Sequence, residues 1–550
     1  MTEEVFTYLI GGKAGEGVKK AGTTAARLFL RMGRNTFEMD DYQSLIRGGH
    51  NFSVVSSSMD EVNSHYMKAD LVVNLDERSY EKHKDHVSGR GVVVNNSDEV
   101  GGGDIAVPLS SMAKEYSRPD LIMGVAGIAV LCSAIGMDKE EMKEFVAKEY
   151  SRGAEENIAF AEEVYDGLDD ELKSKFKLEK SDEKRSMLTG NEALALGACA
   201  AGLDIYFAYP MTPASSILHF LADHKDELKV AVVHPENEIA VANMAIGSTV
   251  VGARAMVGSS GGGFALMEEA FSLAGMAESP VLFVLSSRPG PSTGVPTYTE
   301  QADLDMALNQ GQGDFPRVVA SPCSVNEAFH LTAEMLNLLW KFQTPGILLT
   351  EKHLSESGMV VDIDVRDTEY EPPLMHEDGG YMRYKLTESG VSPMKFPPSD
   401  DLIRWNSYES REDGVTTEDA ELITKMHDKR ERKQRALLKE LKDMNTVNVF
   451  GDSGPVVMTY GSTTSSVLEA LSAGEIDATV VQPKYLKPLP IWELEKYNDE
   501  RPIIVEQSVS GQFATLLRDK IGLRPSAVIK RYDGRPFEPE KLAEKLKEVL

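Results

Sequence analysis

Short apolar runs that break into glycine- and proline-rich turns and then into helices recur along the whole chain, and this alternation constrains the fold more than any other feature. The run Val5–Ile10 enters Gly11-Gly12-Lys13-Ala14-Gly15-Glu16-Gly17 and continues as a helix through Ala21 to Met32. Further strand-like runs are Phe52–Ser56, Leu71–Leu75 and Gly91–Asn95, then Ile205–Ala208, Val281–Leu285 and Gly346–Thr350. A third group is Pro455–Tyr460, Ala478–Gln482 and Pro502–Glu506, each followed by a helical stretch. Strand, turn and helix in alternation predict an α/β protein of three doubly wound domains with parallel sheets.

With 550 residues and about 150 per domain, three to four domains are expected, each with its own core. The expected boundaries are 1–180, 186–365 and 446–550, with a linker and polar helix over 366–445. Tyr165–Lys184 reads as a charged, solvated linker. From Asp362 to Gly414, prolines and charges predict a long irregular connection. The run Lys429-Arg430-Glu431-Arg432-Lys433-Gln434-Arg435 in the helix Thr417–Asp443 reads as a solvated face.

A net charge of −29 argues against nucleic acid or an anionic membrane as partner. The uncharged run Leu121–Met137 contains Gly124, Gly127 and Gly136 and is expected as a buried helix rather than a membrane span. The acidic start Met1-Thr2-Glu3-Glu4-Val5 lacks a secretory pattern, so a cytoplasmic location is expected. Cys132, Cys199 and Cys323 are too far apart for a cluster-binding or metal set and read as small buried hydrophobes.

Several turns are placed where chemistry is done. Gly12, Gly15 and Gly17, with Glu38 about 20 residues on, suggest a nicotinamide dinucleotide site, but the glycine spacing departs from the Rossmann fingerprint. Tyr209-Pro210-Met211-Thr212-Pro213 joins a strand to a helix that Thr212 or a following serine is expected to cap. Glu236 and Glu238 sit in a helix start backed by Ala, Ile and Met, where a carboxylate is expected to lose its water. Ser259-Ser260-Gly261-Gly262-Gly263-Phe264 can aim backbone N–H groups at a polar ligand. Arg288-Pro289-Gly290-Pro291-Ser292-Thr293-Gly294-Val295-Pro296-Thr297 restricts the backbone around one guanidinium, the group that pairs with a carboxylate through two parallel hydrogen bonds.

In this order the motifs resemble the alpha subunit of 2-oxoacid:ferredoxin oxidoreductases with a gamma domain fused in front. Leu45-Ile46-Arg47-Gly48-Gly49-His50-Asn51 looks like the gamma-domain signature, and residues 209–213 look like the family's YPITP. Ser260–Phe264 looks like SGPGF, 288–297 like RGGPSTGxPT, and Val505-Glu506-Gln507-Ser508 with Gly511-Gln512 like VEQN and GQ. Gln43, Gly262, Pro289 and Ser508 depart from the family pattern, none at a position with a chemical role.

The resemblance implies a gamma domain, a domain binding the pyrimidine of thiamine diphosphate and a transketolase C-terminal-like domain. Glu238 then matches the carboxylate that acts on the aminopyrimidine, with Tyr209, Pro210, Ser260, Gly261 and Gly263 as further cofactor contacts. Thr212, Arg288 and Thr297 match the substrate-contacting positions. No GDG with a following Asn-Asn pair is present, so the resemblance assigns the diphosphate, Mg²⁺ and a 4Fe-4S cluster to a beta subunit, with no metal on this chain. It further implies coenzyme A as co-substrate, ferredoxin as acceptor, an (alpha-beta)2 assembly and 2-oxoglutarate as the favoured acid. The alternatives are an NAD(P)-dependent dehydrogenase and a non-catalytic scaffold of the same fold.

Overall fold

The computed structural model describes residues 4–44 and 48–550, with no side-chain description for Asp367. Leu45, Ile46 and Arg47, part of the gamma-like signature, lie outside the described residues. The chain forms two compact units, one of residues 1–188, 357–362 and 538–540 and the other of residues 189–356, 363–537 and 541–550.

The first unit is built on an eight-stranded sheet in the order Ile105–Val107, Val87–Asn96, Ala69–Asn74, Phe6–Lys13, His50–Ser58, Asn35–Asp41, Gly358–Val361, Ser186–Thr189. Ile105–Val107 through Phe6–Lys13 run parallel. His50–Ser58 is antiparallel to both its neighbours, and Gly358–Val361 is antiparallel to Asn35–Asp41. The α/β class holds, while this sheet is mixed rather than wholly parallel. A dinucleotide fingerprint needs the strand after its helix to lie beside the first and parallel to it. Here the antiparallel strand His50–Ser58 stands between Phe6–Lys13 and Asn35–Asp41, and the Glu38 carboxylate accepts from Thr23 Oγ1 at 2.8 Å. Burial pushes that carboxyl up to about 8, so the ribose-binding role is set aside.

The uncharged run forms the helix Pro119–Ala134, buried from Ile122 to Ala134. Its glycines allow close approach: a Cβ on Gly127 would lie 2.4 Å from Ile10 Cδ1, and one on Gly124 would lie 2.6 Å from Gly17 O. Among the described residues no helix is long and apolar enough to cross a membrane. The stretch expected as a solvated linker is partly core. Leu168, Leu172 and Phe176 are buried with the first unit's cluster, because these apolar side chains recur among the charges.

The second unit contains two sheets. The seven-stranded sheet has the order Tyr485–Lys487, Val318–Ala320, Gly346–Glu351, Leu282–Ser287, Ala255–Ser259, Ile205–Ala208, Ala231–Val233 and is parallel except for its first strand. The five-stranded sheet has the order Val447–Phe450, Thr479–Pro483, Val456–Met458, Ile503–Glu506, Ala527–Lys530, again antiparallel only at Val447–Phe450. One apolar cluster runs through both, from Val257 and Phe283 to Met458, Ile504 and Phe513.

The basic run is not a solvated face. In the helix Ala420–Lys442, Lys429 and Lys433 are 0% and 1% exposed and both hold the Glu278 carboxylate, Lys429 at 2.6 Å. Residues four apart share a helix face. Glu278 ends the helix Glu268–Ala277 in a left-handed conformation. Arg383, from the irregular connection, donates to the backbone oxygens of Ala277 at 3.2 Å and Glu278 at 2.9 Å. Within the run, Glu278 gathers Lys429 and Lys433 and Glu409 takes Arg430, while Arg435 stays exposed.

Candidate active site

The strands Ile205–Ala208, Ala255–Ser259 and Leu282–Ser287 are adjacent and parallel, so the loops that leave their C-terminal ends share one edge of the sheet. Open α/β sheets bind ligands at this edge. The three loops are those carrying Thr212, Ser260 and Arg288.

Glu238 opens the helix Glu238–Thr249, whose first turn is capped by the Asn237 side chain accepting from Ala240 N at 2.9 Å. The cap turns Glu238 inward, and it is 4% exposed. Its carboxylate lies over the glycine turn: a Cβ on Gly263 would be 2.5 Å from Glu238 Oε1 and 2.2 Å from Ser259 Oγ. Glu238 Oε1, Ser259 Oγ and Ser260 Oγ are buried without a hydrogen-bond partner. Leaving a buried polar group unpaired costs about 1–3 kcal/mol, so these three neighbouring groups are ones that a ligand's polar edge can satisfy.

Arg288 and Thr212 also come together, Arg288 Nη1 donating to Thr212 O at 2.7 Å. Burial pulls the half-buried guanidinium's pKa down, and the Asp303 carboxylate opposes this. Asp303 accepts from Ser287 Oγ at 2.8 Å, and its two oxygens lie 2.8 and 2.9 Å from the place a Cβ on Gly261 would take. Asp303 thus connects the Gly261 turn to the Arg288 loop. Burial raises its own carboxyl, against the Ser287 hydrogen bond and the Arg288 charge. Glu300, nearby in sequence, is pushed up to about 7 by burial and then by Asp303 and Asp533.

The other expected residues are placed less tightly. Thr297 lies further along the Arg288 loop, and its buried hydroxyl has no hydrogen-bond partner. Tyr209 and Pro210 are exposed, with the Tyr209 ring edge-on to His234 at 5.7 Å between centroids. The expected helix cap is absent: the helix Ser215–Asp223 has Ala214 at its N-cap and no side-chain cap, while Ser216 Oγ accepts from Asn191 Nδ2 at 2.8 Å. Around the site Ile239, Leu266 and Val295 are 52%, 54% and 45% exposed, on the same elements that carry Glu238, Gly263 and Arg288.

Sequence reasoning missed Asp303 and Gln301, whose setting in Thr299-Glu300-Gln301-Ala302-Asp303 has no distinguishing pattern. It did single out the Glu506–Gln512 element, whose local part is now explained. The Glu506 carboxylate accepts from Phe513 N and Ala514 N at 3.0 Å each, holding the start of the helix Gln512–Ile521. Cys132 and Cys323 are buried as expected, whereas Cys199 is partly exposed; burial raises all three thiols, Cys199 up to about 12. Among the described residues no group of His, Cys, Asp and Glu could hold a metal ion.

Comparison with known proteins gives consistent results. Residues 196–429 match the family model described as pyruvate flavodoxin/ferredoxin oxidoreductase, thiamine diP-binding, and residues 7–167 match the pyruvate ferredoxin/flavodoxin oxidoreductase model. A 2-oxoacid:ferredoxin oxidoreductase subunit alpha from Sulfolobus sp is 28% identical over 99% of this chain and 97% of its own length. The 2-oxoglutarate synthase subunit KorA of Archaeoglobus fulgidus is 30% identical over 65% of this chain and 97% of its own. Among solved structures, 2-oxoglutarate:ferredoxin oxidoreductase from Magnetococcus marinus, with 2-oxoglutarate, coenzyme A and succinyl-CoA bound, superposes with a TM-score of 0.89 at 28% identity, covering 100% of both chains.

Proposed function

Because this chain belongs to the 2-oxoacid:ferredoxin oxidoreductases as an alpha subunit with a thiamine diphosphate-binding domain, we propose that it forms the pyrimidine half of a shared pocket and favours 2-oxoglutarate. The observation that carries this reading is the Glu238 carboxylate, buried over Gly263 with one oxygen unpartnered. An unpaired buried acceptor beside two unpaired hydroxyls fits the nitrogen-rich edge of an aminopyrimidine, which offers donors and acceptors together. When bound, thiamine diphosphate supplies the acidic carbon and the electron sink that decarboxylation of a 2-oxo acid requires.

This chain's residues do the rest of the work assigned to it. Glu238 holds a proton at the pyrimidine ring nitrogen, in a place from which water is excluded. Gly263 leaves that carboxylate room, and Ser260 and Gly261 present polar groups at the same edge, with Tyr209 and Pro210 at the rim. Arg288 takes the carboxylate of the 2-oxo acid, oriented by Thr212 O, with Thr297 as a further hydroxyl contact.

The Mg²⁺ and diphosphate site and the 4Fe-4S cluster are assigned to a beta subunit. Exposed Ile239, Leu266 and Val295 beside the site give that subunit an apolar surface to cover. Coenzyme A is the acyl acceptor and ferredoxin takes the two electrons, in an (alpha-beta)2 assembly. Support for 2-oxoglutarate comes from the Archaeoglobus fulgidus and Magnetococcus marinus relatives, a 2-oxoglutarate synthase subunit and a 2-oxoglutarate:ferredoxin oxidoreductase.

The test is to assay the chain alone and reconstituted with its beta subunit against a panel of 2-oxo acids, following acceptor reduction and, separately, thiamine diphosphate binding. The isolated chain should be inactive and bind the cofactor weakly, and the complex should turn over 2-oxoglutarate fastest. Activity of the isolated chain, or turnover of pyruvate alone, contradicts the reading.

A further inference from the structure

The five-stranded sheet carries none of the residues assigned to cofactor or substrate, yet it grips the segment that carries Asp303. Gln301 is buried and is held to that part of the unit through its backbone and its side-chain amide. Its N donates to Gln507 O at 2.7 Å and its Nε2 to Tyr460 O at 2.8 Å, while its Oε1 accepts from Thr463 Oγ1 and Gln507 N at 2.9 Å each. Gln512, at the start of the helix Gln512–Ile521, holds the other end: Nε2 donates to Ala302 O at 2.8 Å and Oε1 accepts from Asp305 N at 2.9 Å. Residues 301–305 are thus fixed at both ends by two glutamines, each bonded through both its amide nitrogen and its amide oxygen.

Between those ends stands Asp303, which accepts from the hydroxyl of Ser287, the residue directly before Arg288, and lies against the Gly261 turn. A carboxylate can hold a guanidinium's surroundings in place only if its own backbone is held, since an unrestrained side chain spends most of its time in other rotamers. We propose that Gln301 and Gln512 are positioning residues for the 2-oxo acid: by clamping 301–305 they hold Asp303 where it keeps the Arg288 loop ready for a substrate carboxylate. The second sheet then contributes to substrate affinity without touching substrate. This rests on the assignment of Arg288 as the carboxylate-binding residue.

None of the clamp's hydrogen bonds goes to Glu238, so its loss should appear in substrate binding more than in the chemical step. In the complex reconstituted with its beta subunit, Gln512→Ala and Gln301→Asn should each raise KM for the 2-oxo acid about tenfold, the worth of one or two buried hydrogen bonds. The kcat should stay within about twofold. Gln512 lies partly at the surface, so its variant keeps the test open if Gln301→Asn fails to fold. The decisive measurement is a double-mutant cycle. If the clamp acts through Arg288, Gln512→Ala combined with Arg288→Lys has the same KM as Arg288→Lys alone. Multiplying effects, an unchanged KM in Gln512→Ala, or a fall in kcat at constant KM overturns the proposal. Arg288→Lys separates the two levels: if it leaves KM unchanged the substrate assignment falls and the clamp with it, and if it raises KM while the glutamine variants do not, only the clamp falls.

Discussion

Two glycine-rich turns in this molecule join a strand to a helix, and their carboxylates behave in opposite ways. In the first unit, Glu16 folds back so that its Oε2 accepts from Lys13 N at 2.6 Å, and a Cβ on Gly12 would lie 2.5 Å from that same oxygen. The turn satisfies its own donor and closes over itself. In the second unit, the turn after Ala255–Ser259 has no carboxylate of its own. Glu238 comes to it from another helix, with one oxygen and two neighbouring hydroxyls left unpartnered. Glycine content is the same signal in both. What separates a structural turn from a site is where the acceptors end up, and that depends on residues far away in sequence.

The largest expected difference between the turns is in turnover. Glu238→Gln in the reconstituted complex should lower kcat for the 2-oxo acid by about 10²–10⁴, the usual contribution of a positioned proton-transfer group, whereas Glu16→Gln should leave it within about twofold. Equal losses would erase the distinction.

A smaller effect is expected from crowding each turn. Gly263→Ala puts a methyl 2.5 Å from Glu238 Oε1, and overpacking of about 1–3 kcal/mol should weaken thiamine diphosphate binding about 10- to 100-fold by titration. Gly262→Ala, where a Cβ meets nothing within 4 Å, should bind as the parent does. Gly12→Ala should cost stability of the first unit, about 1–2 kcal/mol, visible as a lower unfolding temperature with unchanged cofactor binding.

The smallest effect is a pH dependence confined to the first turn. Burial pushes the Glu16 carboxyl up to about 7 from an ordinary value of 4.5. A carboxyl whose folded pKa lies above its unfolded one binds more protons when folded, so its contribution to stability is full below about 4.5 and is lost as pH rises through about 7. Glu16→Gln mimics the protonated form. Its unfolding temperature should match the parent near pH 4.5 and exceed it at pH 8, by the equivalent of about 1–2 kcal/mol. A constant difference across that range would place the cause elsewhere.

The site was legible in the sequence where its signals are local. Strand Ile205–Ala208, the turns that follow Ala208, Ser259 and Ser287, and the helix start at Glu238 are each marked by residues close by in sequence. The buried helix Pro119–Ala134 was legible for the same reason. What sequence reading missed is held by distant partners. The strand Asn35–Asp41 carries Glu38, Asp40 and Asp41 and looks like a surface segment, yet it is buried and is paired by Gly358–Val361 from far along the chain. Lys429 and Lys433 look solvated until Glu278 is placed beneath them. Gln301 looks like any polar loop residue, because its partners lie among residues 460–507.

The central claim is that Glu238 is the group that moves a proton on the bound pyrimidine. The most direct measurement is deuterium exchange at the acidic carbon of thiamine diphosphate bound to the complex, by acid quench and proton NMR, in the parent and in Glu238→Gln at full cofactor occupancy. Exchange slowed by about 10² or more in the variant, with cofactor still bound, is the expected result. Exchange at the parent rate contradicts it.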